Sequence, residues 1–144
     1  MAITISSNYY AVTQARATAA GNQFNFDFDT IKQTTNAVCE VVISENMLVS
    51  PMVFNLPKIE VLKGNQSFSL IIRDGNRFIG PGNEVEIIPF TDPTGVYSDA
   101  IGPAAPGASI TFVSGEGVEL FWCLSPTDAA PNSGYWGCTT QRNP

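Results

Sequence analysis

Residues 23–28 read Gln-Phe-Asn-Phe-Asp-Phe, so that an aromatic side chain follows each polar one. Alternation with a period of two places the rings on one side of an extended chain and is typical of a half-buried β-strand. The same period recurs along the chain, which predicts an all-β protein. The other alternating runs comprise Cys39, Val41 and Ile43; Phe68, Leu70 and Ile72; Val85 and Ile87; Ile110 and Phe112; and Val118, Leu120 and Trp122.

Tight-turn signals separate several of these runs. Asp74-Gly75 is followed by Asn76, and Ser114-Gly115-Glu116-Gly117 lies between two apolar runs. Gly-containing turns between apolar runs predict β-hairpins. Short strands joined by hairpins favour antiparallel pairing, so the sequence predicts an antiparallel β-sandwich or a jelly-roll-like fold.

The chain has 144 residues, which is enough for a single domain with its own core. We expect an extended N-terminal arm over residues 1–20 and a β core over residues 21–124. Residues 125–144 are rich in Pro, Gly, Asn and Thr, which predicts an irregular C-terminal tail.

Within the arm, the Ala-rich segment of residues 8–20 has two interpretations. Ser7 or Asn8 could cap the start of a helix and Gly21 could cap its end. The apolar stripe of such a helix is weak, however. We therefore favour a strand that pairs with residues 23–28 across the Gly21-Asn22 turn.

Composition excludes several classes of function. The net charge is −6 and the seven Lys and Arg residues are scattered, which argues against nucleic-acid binding. No apolar stretch is long enough to span a bilayer, and no secretory signal is visible, so we expect synthesis in a cytoplasm without secretion. The chain has no histidine, which removes histidine-based nucleophiles and metal sites. The sequence thus predicts a protein that is not an enzyme and has no cofactor or metal.

Two questions about individual side chains stay open. Asp27 and Asp29 lie two residues apart on one strand and could form half of a calcium site, although solvent-facing partners of the Phe stripe are the simpler interpretation. Cys123 and Cys138 could form a disulfide, whereas Cys39 fits a small core residue.

Aromatic residues near strand ends and in loops are the candidate interface residues. Aromatic rings supply a large apolar contact area at a low entropic cost, so they anchor protein interfaces. The candidates are Tyr9, Tyr10, Tyr135 and Trp136.

The chain resembles the small β-rich structural proteins of tailed bacteriophage virions, and among them the capsid decoration, or cement, proteins. The features shared are Met1 without a signal, an Ala/Thr/Ser/Gln arm over residues 3–20, the two predicted hairpins, few charges, and a Gly/Pro/Asn tail. The resemblance implies a non-enzymatic homo-oligomer, with a trimer favoured, that binds the major capsid protein and stabilises the shell. A lectin-like carbohydrate- or protein-binding β-sandwich and a phage tail or fibre component are the alternatives.

Overall fold

A computed structural model describes residues 1–27, 38–45, 52–57, 69–74, 84–94, 98–101, 105, 107–112, 116–123 and 135–142. Within these ranges only the backbone is described for residues 74, 112, 116–123, 135 and 138–142. The described elements are β1 (Ile3–Ile5), β2 (Tyr9–Val12), α1 (Gln14–Ala20), β3 (Gln23–Phe26), β4 (Val38–Ile43), β5 (Met52–Asn55), β6 (Ser69–Asp74), β7 (Val85–Ile88), β8 (Ala100–Ile101), β9 (Ile110–Phe112), β10 (Glu116–Cys123) and β11 (Tyr135–Arg142).

The described strands form two sheets, and successive strands alternate between them from β1 to β10. A five-stranded sheet has the order β1-β3-β5-β7-β9, and a six-stranded sheet has the order β2-β4-β6-β10-β11-β8. Strands β1, β3, β5 and β7 run parallel to one another, as do β2, β4 and β6. Among the described strands, antiparallel pairing joins β9 to β7 and β10 to β6 and β11. Each pair of successive strands in the N-terminal half therefore contributes one strand to each sheet.

The prediction of an antiparallel sandwich or jelly roll is wrong, because most of the described pairings are parallel. Parallel sheets are usually connected by helices that cover both faces, and their strands then read as continuous apolar runs. Here the chain returns to the first sheet by way of a strand in the second. Each sheet keeps one outward face, so its strands alternate in burial as antiparallel strands do. Alternation in the sequence therefore identifies the strands but not their direction.

Neither predicted hairpin forms between the strands that the structure describes. Strand β6 ends at Asp74 and pairs with β4 and β10, whereas the next described strand, β7, lies in the other sheet. Strands β9 and β10 flank residues 113–115 and also belong to different sheets. A turn signal marks where a strand ends, and the next strand can cross to the opposite sheet as readily as it can fold back.

The inward faces of both sheets share one hydrophobic core cluster, and the alternating residues predicted from sequence supply much of it. Phe24, Phe26, Cys39, Val41 and Ile43 are all buried there, as the alternation predicts. Strands that the alternation does not predict add further members. These are Ile5, Met52, Phe54 and Trp136.

Residues 1–20 do not form an extended arm. Residues 1–20 supply β1 to the five-stranded sheet and β2 to the six-stranded sheet, followed by α1. Ile5, Val12, Ala17 and Ala20 from this segment are at most 1% exposed. The expectation of an extended arm is wrong because these four residues lie in the core and the segment contributes a strand to each sheet.

The preference for a strand over residues 8–20 is correct for β2 and wrong for the second half, which forms α1. Thr13, rather than Ser7 or Asn8, caps the helix, because its hydroxyl accepts a hydrogen bond from the backbone N–H of Arg16. Gly21 caps the end, as one interpretation of the sequence expected. Its φ of 60° lies in the left-handed region, and its N–H donates to the carbonyl of Thr18. No described helix is long and apolar enough to cross a membrane.

The Gly21 cap leads to a stability prediction. Gly21→Ala forces a Cβ into a left-handed conformation and should lower the free energy of unfolding by ~1 kcal/mol. Gly21→Asn should cost less, because Asn tolerates this conformation. Urea denaturation of the three proteins tests whether the free energy of unfolding is highest for the parent, lower for Gly21→Asn and lowest for Gly21→Ala. An alanine variant as stable as the parent would show that this cap contributes nothing.

The C-terminal tail is also more regular than expected. Strand β11 pairs with β10 along its whole length, from Cys123 opposite Tyr135 to Glu116 opposite Arg142. On its other side β11 pairs with β8. The prediction of an irregular tail is therefore wrong for residues 135–142, where Tyr135, Trp136 and two threonines favour a strand and pairing with β10 stabilises it.

Candidate protein-interaction face

The outer face of the six-stranded sheet carries the apolar surface that has no layer of the described structure over it. We call the side chains Tyr9, Val38, Glu40, Val42, Ile71 and Arg73 the outer face. The register places Tyr9 beside Glu40 and Glu40 beside Ile71, and it places Val42 beside Arg73. Neighbouring strands lie ~4.8 Å apart, so these side chains form continuous rows across β2, β4 and β6.

Exposure singles this face out. Tyr9 is 56% exposed and Val38 is 43% exposed. Together with Met1 at the chain start, they are the exposed large hydrophobic residues of the described part of the chain. Val38 precedes by two residues the Glu40 that pairs with Tyr9, so Tyr9 and Val38 are diagonal neighbours. Half-buried Val42 and Ile71 extend the apolar surface beside them.

One ion pair crosses the face. The guanidinium of Arg73 contacts the carboxylate of Glu40 on the adjacent strand. The arginine side chain is 54% exposed, and such surface pairs stabilise proteins by less than ~1 kcal/mol. The main effect of the pair is on charge, because it leaves the outer face neutral in a chain whose net charge is −6.

The outward face of the five-stranded sheet differs, because its polar groups bind one another. The side-chain amide of Asn55 donates to Oε1 of Gln23 at 3.2 Å and to Oδ1 of Asn25 at 3.1 Å. The Ser109 hydroxyl donates to the carboxylate of Glu86 at 2.7 Å. This polar network crosses neighbouring strands and stabilises the sheet itself. It makes the five-stranded sheet a useful control surface for the outer face.

The four predicted interface residues have different positions. Tyr9 lies on the outer face. Tyr10 points to the other side of the same strand, where its half-buried ring meets Phe24 edge to face with the ring centroids 6.2 Å apart. Trp136 is fully buried in the core. The side chain of Tyr135 lies outside the described residues. No two of the three described side chains therefore lie on the same surface.

Sequence reasoning missed Val38, Val42 and Ile71. A signal was present, because Val42 and Ile71 occupy the polar positions of otherwise alternating strands, next to Val41 and Ile72. An apolar residue on the expected solvent side of a strand marks a surface that contacts something else.

Asp27 and Asp29, for which a calcium site was left open, are only partly described. Asp27 is half-buried, and its backbone N–H donates to the carbonyl of Ile5 at 2.8 Å. Asp29 lies outside the described residues. No group of three or more potential metal ligands occurs among the residues that the structure describes. Asp92 shapes a turn, because its carboxylate accepts hydrogen bonds from the backbone N–H and the hydroxyl of Thr94 at 2.9 Å each.

The strand register bears on the cysteines. Cys138 lies opposite Leu120, whereas Cys123 lies opposite Tyr135, so the two cysteines are three positions apart along the β10–β11 pair. Three residues of a strand span ~10 Å, beyond the Cα separation that a disulfide bridges. The register thus argues against a Cys123–Cys138 disulfide. Cys39 is the small core residue expected, and burial raises the pKa of its thiol to about 12.

Comparison with known proteins identifies no relative: no protein-family model, no curated protein and no solved structure matches the chain.

Proposed function

We propose that this chain is a non-enzymatic structural protein of a virion, of the capsid decoration type, and that it binds the shell through the outer face. The observation that carries the proposal is that exposed Tyr9 and Val38 are diagonal neighbours on the outer face. Adjacent apolar groups that remain exposed on a folded sheet are typical of a surface that binds another protein.

Charge favours a protein partner with a flat, uncharged surface. The outer face is neutral because Glu40 and Arg73 pair with each other, whereas the chain as a whole is acidic. A nucleic acid or an anionic membrane requires a basic surface. A neutral apolar patch rimmed by an ion pair matches the centre of a protein–protein interface, where an aromatic ring supplies much of the binding energy. A shell subunit is therefore the occupant that we propose for this face.

Two measurements test the proposal as a whole. Light scattering coupled to size exclusion should show a closed homo-oligomer, and a trimer is the form we expect. Co-sedimentation should show the purified protein bound to expanded shells of the encoding virus that lack it. A monomer that also fails to bind shells would contradict the proposal. A monomer that binds shells would contradict only the trimer.

A double variant tests the face. Tyr9→Ser with Val38→Ser removes the two exposed apolar groups and should weaken shell binding at least about tenfold, because buried aromatic anchors dominate interface energies. The control is Thr4→Ser with Gln23→Ser, which changes two exposed residues of the five-stranded sheet. The control should bind as the parent does. Equal binding by parent, control and double variant would mean that the shell is bound by another surface.

A further inference from the structure

Strand β2 is the outermost described strand of the six-stranded sheet, so no described strand lies along its other side. The N–H of Glu40 donates to the carbonyl of Asn8 at 2.8 Å, and the N–H of Ser44 donates to the carbonyl of Val12 at 3.0 Å. Carbonyls alternate in direction along a strand. The carbonyls of Tyr9 and Ala11 therefore point away from β4, toward the open edge.

Side chains of the chain itself occupy both of these carbonyls. The Ser7 hydroxyl, two residues before Tyr9, donates to the Tyr9 carbonyl at 2.7 Å. Arg16 lies in the first turn of α1, and its Nη1 donates to the Ala11 carbonyl at 2.7 Å. The Arg16 guanidinium also lies 4.8 Å from the centroid of the Tyr10 ring, which holds it in place through a cation–π contact.

We infer that Ser7 and Arg16 close the β2 edge against a second copy of this chain. A strand that adds to an open edge must donate its N–H groups to the edge carbonyls. Because the Ser7 hydroxyl and the Arg16 guanidinium already lie against the Tyr9 and Ala11 carbonyls, an incoming β2 from another molecule has to displace them before it can pair. The edge has four residues and includes Tyr9 and Val12, so it is apolar enough to pair if it opens.

The inference goes beyond the proposed function and does not rest on it, because shell binding uses the outer face of the sheet and not its edge. It also bears on how the protein could attach to a neighbour, because pairing through β2 would first require the Ser7 and Arg16 hydrogen bonds to break.

The test is the double variant Ser7→Ala with Arg16→Ala, compared with the parent protein and with Thr4→Ala. Thr4→Ala changes an exposed residue of the five-stranded sheet, away from both the β2 edge and the outer face. Light scattering over a range of concentrations should show additional self-association of the double variant. It should begin at concentrations about tenfold lower than in the parent, because a charge-assisted hydrogen bond no longer has to be broken first. Thr4→Ala should behave as the parent.

Amide hydrogen exchange locates the new contact. The N–H groups of Tyr9 and Ala11 face the open edge, so they should become protected in the associated double variant and remain unprotected in the parent. Association without this protection would overturn the inference, and so would a folded double variant with the mass and exchange of the parent. If circular dichroism shows that the double variant does not fold, the same two measurements are made on the single variants Ser7→Ala and Arg16→Ala.

Discussion

Replacing Phe54 by Ala is expected to lower the free energy of unfolding by about 3–5 kcal/mol. The Phe54 ring stacks on Phe24 with the centroids 5.0 Å apart and on Phe26 with the centroids 6.1 Å apart. All three lie in the core cluster, and Phe54 itself is fully buried. The substitution removes both aromatic contacts and leaves a cavity that two parallel strands cannot easily fill.

Guanidinium denaturation followed by circular dichroism measures this loss. The matched control is Val53→Ala, the neighbouring residue on the same strand, whose side chain is half-buried on the outward face. Val53→Ala should cost far less than Phe54→Ala. Equal losses for the two variants would contradict the assignment of Phe54 to the inner face, and with it the register of β5 on β3 and β7.

The sequence predicts where the buried side chains lie better than it predicts how the strands connect. Burial of Phe24, Cys39 and Ile72 follows from local alternation, because a strand with one wet face shows its period within a few residues. Parallel pairing between β3 and β5 depends on residues about thirty positions apart, and no local pattern encodes it. The turn signal at Asp74-Gly75 coincides with the end of β6. The next described strand, β7, nevertheless lies in the other sheet and does not pair with β6.

Short elements are harder to predict for a related reason. Strand β1 has three residues and β8 has two, so neither shows a measurable period. Helix α1 has only seven residues, so helix propensity alone is too weak to form it. The caps at Thr13 and Gly21 and the burial of two alanines stabilise it.

For the candidate interface residues too, the local sequence predicts part of the answer and the strand pairing determines the rest. Tyr9 was identified as an interface residue from its residue type and position, and the structure places it on the outer face. Trp136 was identified by the same reasoning and is fully buried, because β11 lies inside a sheet rather than in a tail. Residue type alone cannot distinguish an aromatic interface anchor from an aromatic core residue, since both are chosen for their large apolar area. The strand register supplies the distinction.

The second large effect concerns pH. Cys39 is fully buried, its thiol approaches the carbonyl of Ser7 at 3.5 Å, and desolvation by burial raises the thiol pKa from 9.0 to about 12. Below pH 9 the thiol is protonated in both the folded and the unfolded protein, so its contribution to stability is fully present. Above pH 9 the unfolded chain releases this proton while the folded protein keeps it. The free energy of unfolding should then fall by about 1.4 kcal/mol per pH unit up to about pH 12.

The loss accumulates to roughly 4 kcal/mol by about pH 12. Tyrosines, lysines and the other two cysteines also ionise in this range, so the measurement is a difference between two proteins. Urea denaturation of the parent and of Cys39→Ala, under reducing conditions from pH 7 to 11, gives two stability curves. The alanine variant should be less stable at neutral pH, because it lacks the buried sulfur. It should also lose less stability above pH 9, because it has no proton to release at this position, so the curves should converge. Curves that stay parallel above pH 9 would show that the Cys39 thiolate is solvated in the folded protein, which is incompatible with a core in which β4 packs Cys39 between the two sheets.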